Sequence, residues 1–183
     1  MATNLWHDLT AHGETKDTIH VVVEIARGSR NKYEYHKPTG AIILDRVLFS
    51  AVHYPGDYGF IPQTYYDDND PLDVLVMTNA PTFPGCIVEA RPVGIFHLVD
   101  KGEADDKILA VLHHDPFFAN ITDYRELPPH FLREVTHFFS VYKHLEGYTT
   151  EVRGWEGPDV ARERIQYAID LYWDMRAGRL VKE

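Results

Sequence analysis

The chain has 183 residues, 44% hydrophobic and 25% charged, the balance of one soluble globular domain with a sizeable core. Its 28 acidic against 18 basic residues give a formal net charge of −10. That excludes nucleic acid as the main partner, since a phosphate backbone needs a basic footprint, but leaves room for a small anion held through divalent cations.

Residues 1–16 read as a polar arm of a single domain spanning 1–183, with His7 and His12 in solvent and no apolar core of a signal peptide. No stretch approaches the ~18 apolar residues of a membrane span, so no membrane partner is expected. Ile19–Ile25 predicts a strand with Ile19, Val21, Val23 and Ile25 on one face and Glu24 on the other. Lys32–Tyr35 predicts a second strand, with Lys32 and Glu34 sharing a face, and Ala41–Val47, carrying Arg46, a third. Short connections between these three suggest antiparallel pairing. The Gly- and Pro-rich span 52–63, holding Tyr54 and Tyr58, predicts an irregular loop. Strands follow at Val74–Met77, Cys86–Val99 and Ile108–Leu112, with a charged turn at Asp100–Lys107. Cys86 is the lone cysteine, which excludes an internal disulfide, fits a reducing cytoplasmic compartment and predicts a buried, inert thiol. From Pro128 the period changes: Phe131, Leu132, Val135, Phe138, Phe139 and Tyr142 line one face of a helix that runs to about Gly147. A short strand at Thr149–Val152 and a second helix after Gly157-Pro158, with Ala161, Ile165, Ala168, Ile169 and Tyr172 on its apolar face, complete the chain. Strands first and helices last predict an α+β fold, a small closed β-barrel with two flanking C-terminal helices.

The chemistry concentrates in Asp67-Asp68-Asn69-Asp70-Pro71-Leu72-Asp73, four aspartates in seven residues running into an apolar strand. Hard oxygen donors held this close suit Mg²⁺ or Mn²⁺, and an uncompensated cluster would repel itself. An EF-hand fails, because the sixth residue from Asp68 is Asp73 rather than Gly and the twelfth is Asn79 rather than Glu. The second acidic turn, with Asp100, Asp105 and Lys107, makes a matching half. Glu24, Glu34, Lys32 and Arg46 from the early strands add carboxylates for cations and cations for a polyanion, the ingredients of multi-metal phosphoryl chemistry. Neither a P-loop nor an H-E-x-x-H pair is present.

The run Asp68-Asn69-Asp70-Pro71-Leu72-Asp73-Val74-Leu75-Val76 resembles the D-x-D-P-x-D-x-x-V signature of the family I soluble inorganic pyrophosphatases. The resemblance spans about Ile19 to Leu171. It includes Lys32-Tyr33-Glu34, Asp45-Arg46, Tyr54-Pro55-Gly56-Asp57-Tyr58-Gly59-Phe60, Asp100-x₄-Asp105-x-Lys107 and His137-Phe138-Phe139-x-x-Tyr142-Lys143. It implies a five-stranded OB-like barrel, Mg²⁺-dependent hydrolysis of pyrophosphate to two orthophosphates, and several Mg²⁺ per site with Mn²⁺ or Zn²⁺ as substitutes. By matching position, the resemblance makes Asp68, Asp73, Asp100, Asp105 and Glu34 metal ligands, with Glu24 acting on the metals through water. It makes Asp70 the general base on a metal-bridged water and Tyr54 a supporting hydroxyl near it. Lys32, Arg46, Tyr58, Lys107, Tyr142 and Lys143 become phosphate-binding groups, with Lys32 and Arg46 also counted as catalytic. Seven carboxylates against four cations leave this set at −3, which roughly three or four divalent ions and a substrate of about −4 bring near neutrality. A homo-oligomer, with a hexamer as the prokaryotic default, is also implied. Asp106, an extra carboxylate beside Asp105, is expected to face away from the site. Two alternatives stay open on the residues alone: a broader metal-dependent phosphohydrolase, and a non-catalytic module that binds divalent metal or phosphate.

Overall fold

Val74, Leu75 and Val76 are successive, and each is almost wholly buried, so the strand that follows the acidic turn is covered on both faces. The computed structural model describes residues 3–180; positions 1–2 of the polar arm lie outside them. The sheet is built from β1 (Ile19–Ile25), β4 (Asp57–Phe60), β5 (Asp73–Met77), β6 (Ile87–Asp100) and β8 (Lys107–Leu112). Their hydrogen bonds run β1-β4-β5-β8-β6 and return from β6 to β1, a ring through five strands. The sheet is mixed: β5 and β8 are parallel and the other four pairings antiparallel. A two-residue strand, β7 (Glu103–Ala104), folds back on the end of β6, and β9 (Thr150–Glu156) extends the sheet along β6.

Side-chain alternation sends Val74, Val76, Ile108 and Ala110 into one core and Leu75, Leu109 and Val111 into another. Helix α2 (Pro158–Arg176) closes the first with Ala161, Ile165, Ala168 and Ile169, while Tyr172 joins a smaller cluster with Trp6, Val22, Tyr35 and Phe60. Helix α1 (Pro129–Val141) closes the second with Phe131, Val135, Phe138 and Phe139. Both helices start with Pro in the first turn, where its missing N–H costs nothing. The fold is thus α+β with two helices among the described residues, as the strand-then-helix order predicts.

Four elements depart from expectation. The first three strands do not form one meander. β2 (Asn31–His36) and β3 (Ala41–Val47) pair only with each other, and β1 turns instead to β4 and β6. The 52–63 span contains β4, which its Gly and Pro content concealed. Gly59 is there because a Cβ would stand 1.9 Å from the Val22 carbonyl oxygen. Helix α1 ends at Val141 rather than near Gly147; a short 3₁₀ turn at His144–Glu146 follows, closed by Gly147 at φ 84°. That early stop turns Tyr142 and Lys143 inward. β9 is longer than the strand expected at Thr149–Val152.

The arm is also less solvated than its polarity suggested. Trp6 and Ala11 are buried, and His7 stacks on Trp6 and shares a 2.9 Å hydrogen bond with the Tyr172 hydroxyl, while His12 is exposed. Cys86 is half-buried rather than buried, and its surroundings push the thiol pKa up.

Candidate active site

The parallel register of β5 and β8 sets Asp73 directly beside Lys107, the first residues of their strands. The two acidic turns that lead into those strands are thereby brought together. The first turn is closed by its own backbone: the Tyr66 N–H donates to the Asp70 carbonyl at 2.8 Å, and the Asn69 N–H donates to the Tyr66 carbonyl at 3.0 Å. Asn69 takes φ 68°, a left-handed conformation that Asn tolerates better than most residues.

A cavity of about 430 Å³ opens between these turns, the β2–β3 hairpin and the end of α1. Eleven of the residues singled out from sequence line it. Asp68, Asp70, Asp73 and Asp105 come from the acidic turns and strand starts; Glu24, Lys32 and Glu34 come from β1 and β2. Tyr58, Lys107, Tyr142 and Lys143 complete the group. Asp100, Tyr54 and Arg46 are not among the lining residues. Asp100, the last residue of β6, is ion-paired to Lys143. Tyr54 is buried, its ring 5.4 Å from Tyr58 and 4.7 Å from Phe138. Arg46 is held by Glu146 at 3.1 Å and by Asp45.

Every lysine here rests on a carboxylate. Lys107 bridges Asp73 and Asp105, Lys143 meets Asp100, and Lys32 meets Glu34 and Asp45. The Tyr58 hydroxyl donates to Asp73. Burial works against the Lys107 charge, but Asp73 and Asp105 together hold its pKa well above the ordinary lysine value. The Lys143 pKa is likewise raised against burial, by Tyr142 and Asp100. The acids move the other way from comfort: burial, with Asp73 adding to it, pushes Asp68 up to about 6. Burial pushes Glu24 up to about 8 despite the 2.6 Å hydrogen bond it accepts from the Tyr35 N–H. Asp105 is raised as well, chiefly by burial. One carboxylate oxygen, Oδ1 of Asp100, is buried with no hydrogen-bond partner. A hard cation would engage the unpartnered Asp100 oxygen and offset the burial that raises Asp68 and Asp105.

Three residues given no role from sequence bear on this site, Asp45 having entered only as part of the Asp45-Arg46 match. Lys37, in the β2–β3 turn, lines the cavity and pairs with Asp70, and Asp45 and Glu146 hold Arg46. Lys37 follows Lys32 and Glu34 closely enough to have been suspected; Glu146 is a hundred positions from Arg46 and carries no local signal.

The model of the family described as inorganic pyrophosphatase matches residues 21–173. The chain belongs to that family. The inorganic pyrophosphatase of Haloferax volcanii is 51% identical over 170 residues, 92% of this chain and 96% of the relative. Soluble inorganic pyrophosphatase 3 of Arabidopsis thaliana is 47% identical over 172 residues, 94% of this chain and 80% of the relative. Among solved structures, the crystal structure of the Thermus thermophilus inorganic pyrophosphatase superposes with a TM-score of 0.89 at 41% identity, covering 93% of this chain and 99% of that one. As a family I pyrophosphatase the chain is an inorganic diphosphatase, hydrolysing inorganic pyrophosphate. No helix among the described residues is long and apolar enough to cross a membrane.

Proposed function

We propose that the hydrolysis is Mg²⁺-dependent and runs in the cavity between the two acidic turns. The observation that supports this is the Asp73–Lys107 register, which brings the strands that follow the two acidic turns side by side at one end of the sheet. Asp68, Asp73, Asp100 and Asp105 would hold the Mg²⁺ ions, Glu34 at the more open rim would serve a further one, and Glu24 would act through water. Bound there, Mg²⁺ lowers the pKa of water and offsets charge on phosphoryl oxygens.

The remaining steps belong to the chain. Asp70, exposed at the mouth of the cavity, accepts the proton of the attacking water. Lys107, Lys143 and Lys32, each now parked on a carboxylate, donate to the substrate's phosphate oxygens once that carboxylate is otherwise engaged. Arg46, fixed by Asp45 and Glu146, presents its guanidinium to the same anion. Tyr58 and Tyr142 keep their hydroxyl protons, since burial raises both phenol pKa values, and so serve as donors. Tyr54 supports Tyr58 from behind. The five-strand ring supports reading the scaffold as the small OB-like barrel, closed so that both turns are braced. A cytoplasmic homo-oligomer, hexameric by family default, completes the proposal; light scattering on the purified protein measures the assembly.

The test is orthophosphate release from pyrophosphate, tripolyphosphate and ATP, each with Mg²⁺ and with EDTA. Turnover confined to pyrophosphate and abolished by EDTA is the expected result. Equal Mg²⁺-dependent rates on ATP would instead establish a broader phosphohydrolase, and turnover that persists in EDTA would overturn the metal assignment.

A further inference from the structure

Asp106 lies between two cavity residues, Asp105 and Lys107, and by the alternation of the chain its side chain points the opposite way. It does not reach solvent there: the side chain is 7% exposed. One carboxylate oxygen accepts a 2.8 Å hydrogen bond from the Tyr66 hydroxyl, and the other lies 3.0 Å from Nδ1 of His97. His97 Nε2 in turn lies 2.8 Å from Glu156 on β9, and the Arg164 guanidinium of α2 stands 3.9 Å from Asp106. A buried carboxylate is costly unless every oxygen is engaged, and an apolar side chain would fill the same space more cheaply. What the carboxylate provides that an apolar residue cannot is a directional hold on Tyr66.

That hold has a defined consequence. Tyr66 is the residue whose backbone closes the first acidic turn, through its N–H to Asp70 and its carbonyl to Asn69. Its hydroxyl therefore fastens the turn bearing Asp68 and Asp70 to the backbone residue next to Asp105. The same turn is gripped from α2, where the Tyr167 hydroxyl donates to Asp67 at 3.1 Å. Carboxylates that share cations must be held to within about 0.5 Å of their working separation.

We infer that Asp106 is a positioning residue: through Tyr66 it sets the spacing between the two carboxylate turns that hold the metals. The inference rests on the metal site proposed above and adds to it a pair of residues that touch neither metal nor substrate.

Calorimetric Mn²⁺ titration of the metal-free protein, with melting in EDTA and steady-state kinetics alongside, tests it. Tyr66→Phe keeps the ring and removes only the hydroxyl; it should raise the Mn²⁺ Kd about tenfold and lower kcat more than it raises KM. Asp106→Ala should do the same, and adding it to Tyr66→Phe should cost little more, because one contact is being removed twice. Asp106→Asn retains an oxygen for Tyr66, and its amide can donate to His97, so Mn²⁺ affinity should return to within about threefold of wild type. Should Asp106→Ala fail to fold, Tyr66→Phe and Asp106→Asn decide the matter. Mn²⁺ affinity unchanged in Tyr66→Phe, with only the melting temperature lowered, would overturn the inference, as would an Asp106→Asn variant no better than Tyr66→Phe. Wild-type protein that bound no Mn²⁺ would overturn the metal site itself, and this inference with it.

Discussion

Glu24 offers the sharpest energetic prediction. Its carboxyl is pushed up to about 8 by burial, with the Asp73 charge adding to the effect, against an ordinary value of 4.5. Between those two values the folded metal-free protein holds a proton that the unfolded chain has released. Stability must therefore fall as pH rises through this window. The full rise corresponds to roughly 5 kcal/mol; Glu24 is only half-buried, and solvent at its edge brings the expected effect nearer 2–3 kcal/mol. Glu24→Gln removes the ionisation while leaving an oxygen to accept the Tyr35 N–H. In EDTA the variant should match wild type near pH 5 and melt about 5–10 °C higher at pH 8.5. Asp68 and Asp105, also raised, contribute to the pH slope of both proteins, so the difference between the two curves isolates Glu24. Saturating Mg²⁺ should flatten the wild-type slope. Identical pH dependence in the two proteins would refute the reasoning, since the proton would then reside elsewhere.

Other expectations follow from single contacts. Lys107→Met strands Asp73 and Asp105 in the cavity wall; it should destabilise the metal-free protein by about 3 kcal/mol in chemical denaturation, with Mg²⁺ restoring much of the loss. Gly59→Ala drives a Cβ into the Val22 carbonyl and must part β1 from β4, so a loss above about 3 kcal/mol, or no folded protein by circular dichroism, is expected. Because Asp68 ionises only near pH 6 in the metal-free state, protons compete with Mg²⁺ for it. The acid limb of the pH–rate profile should then move to lower pH as Mg²⁺ is raised; a limb that stays fixed would count against Asp68 as a ligand.

Much of the site was legible because its signal is local. Asp68, Asp70 and Asp73 fall within six residues, and Lys32 and Glu34 share a face by strand period alone. The alternation that turns Asp106 away from Asp105 was equally readable. What fills the space it points into was not, because Tyr66, His97 and Arg164 come from three distant elements. The pairing of Asp73 with Lys107 is a parallel register across 34 positions, which no pattern within either strand specifies. β4 was hidden for a related reason: its place is dictated by its neighbours β1 and β5 rather than by its own composition. The end of α1 was misplaced because Tyr142 continues the apolar period of the helix while its ring packs on Phe138 and Phe139 at the cavity wall.

The division of labour between Asp70 and its neighbours is the centre of the account, and one comparison tests it directly. Pyrophosphate turnover and Mn²⁺ affinity should be measured together for Asp70→Asn and Asp68→Asn. Asp70→Asn should lose on the order of 10²-fold or more in kcat while binding Mn²⁺ like wild type, and Asp68→Asn should lose the metal. Near wild-type turnover in Asp70→Asn would contradict the assignment of Asp70 as the base.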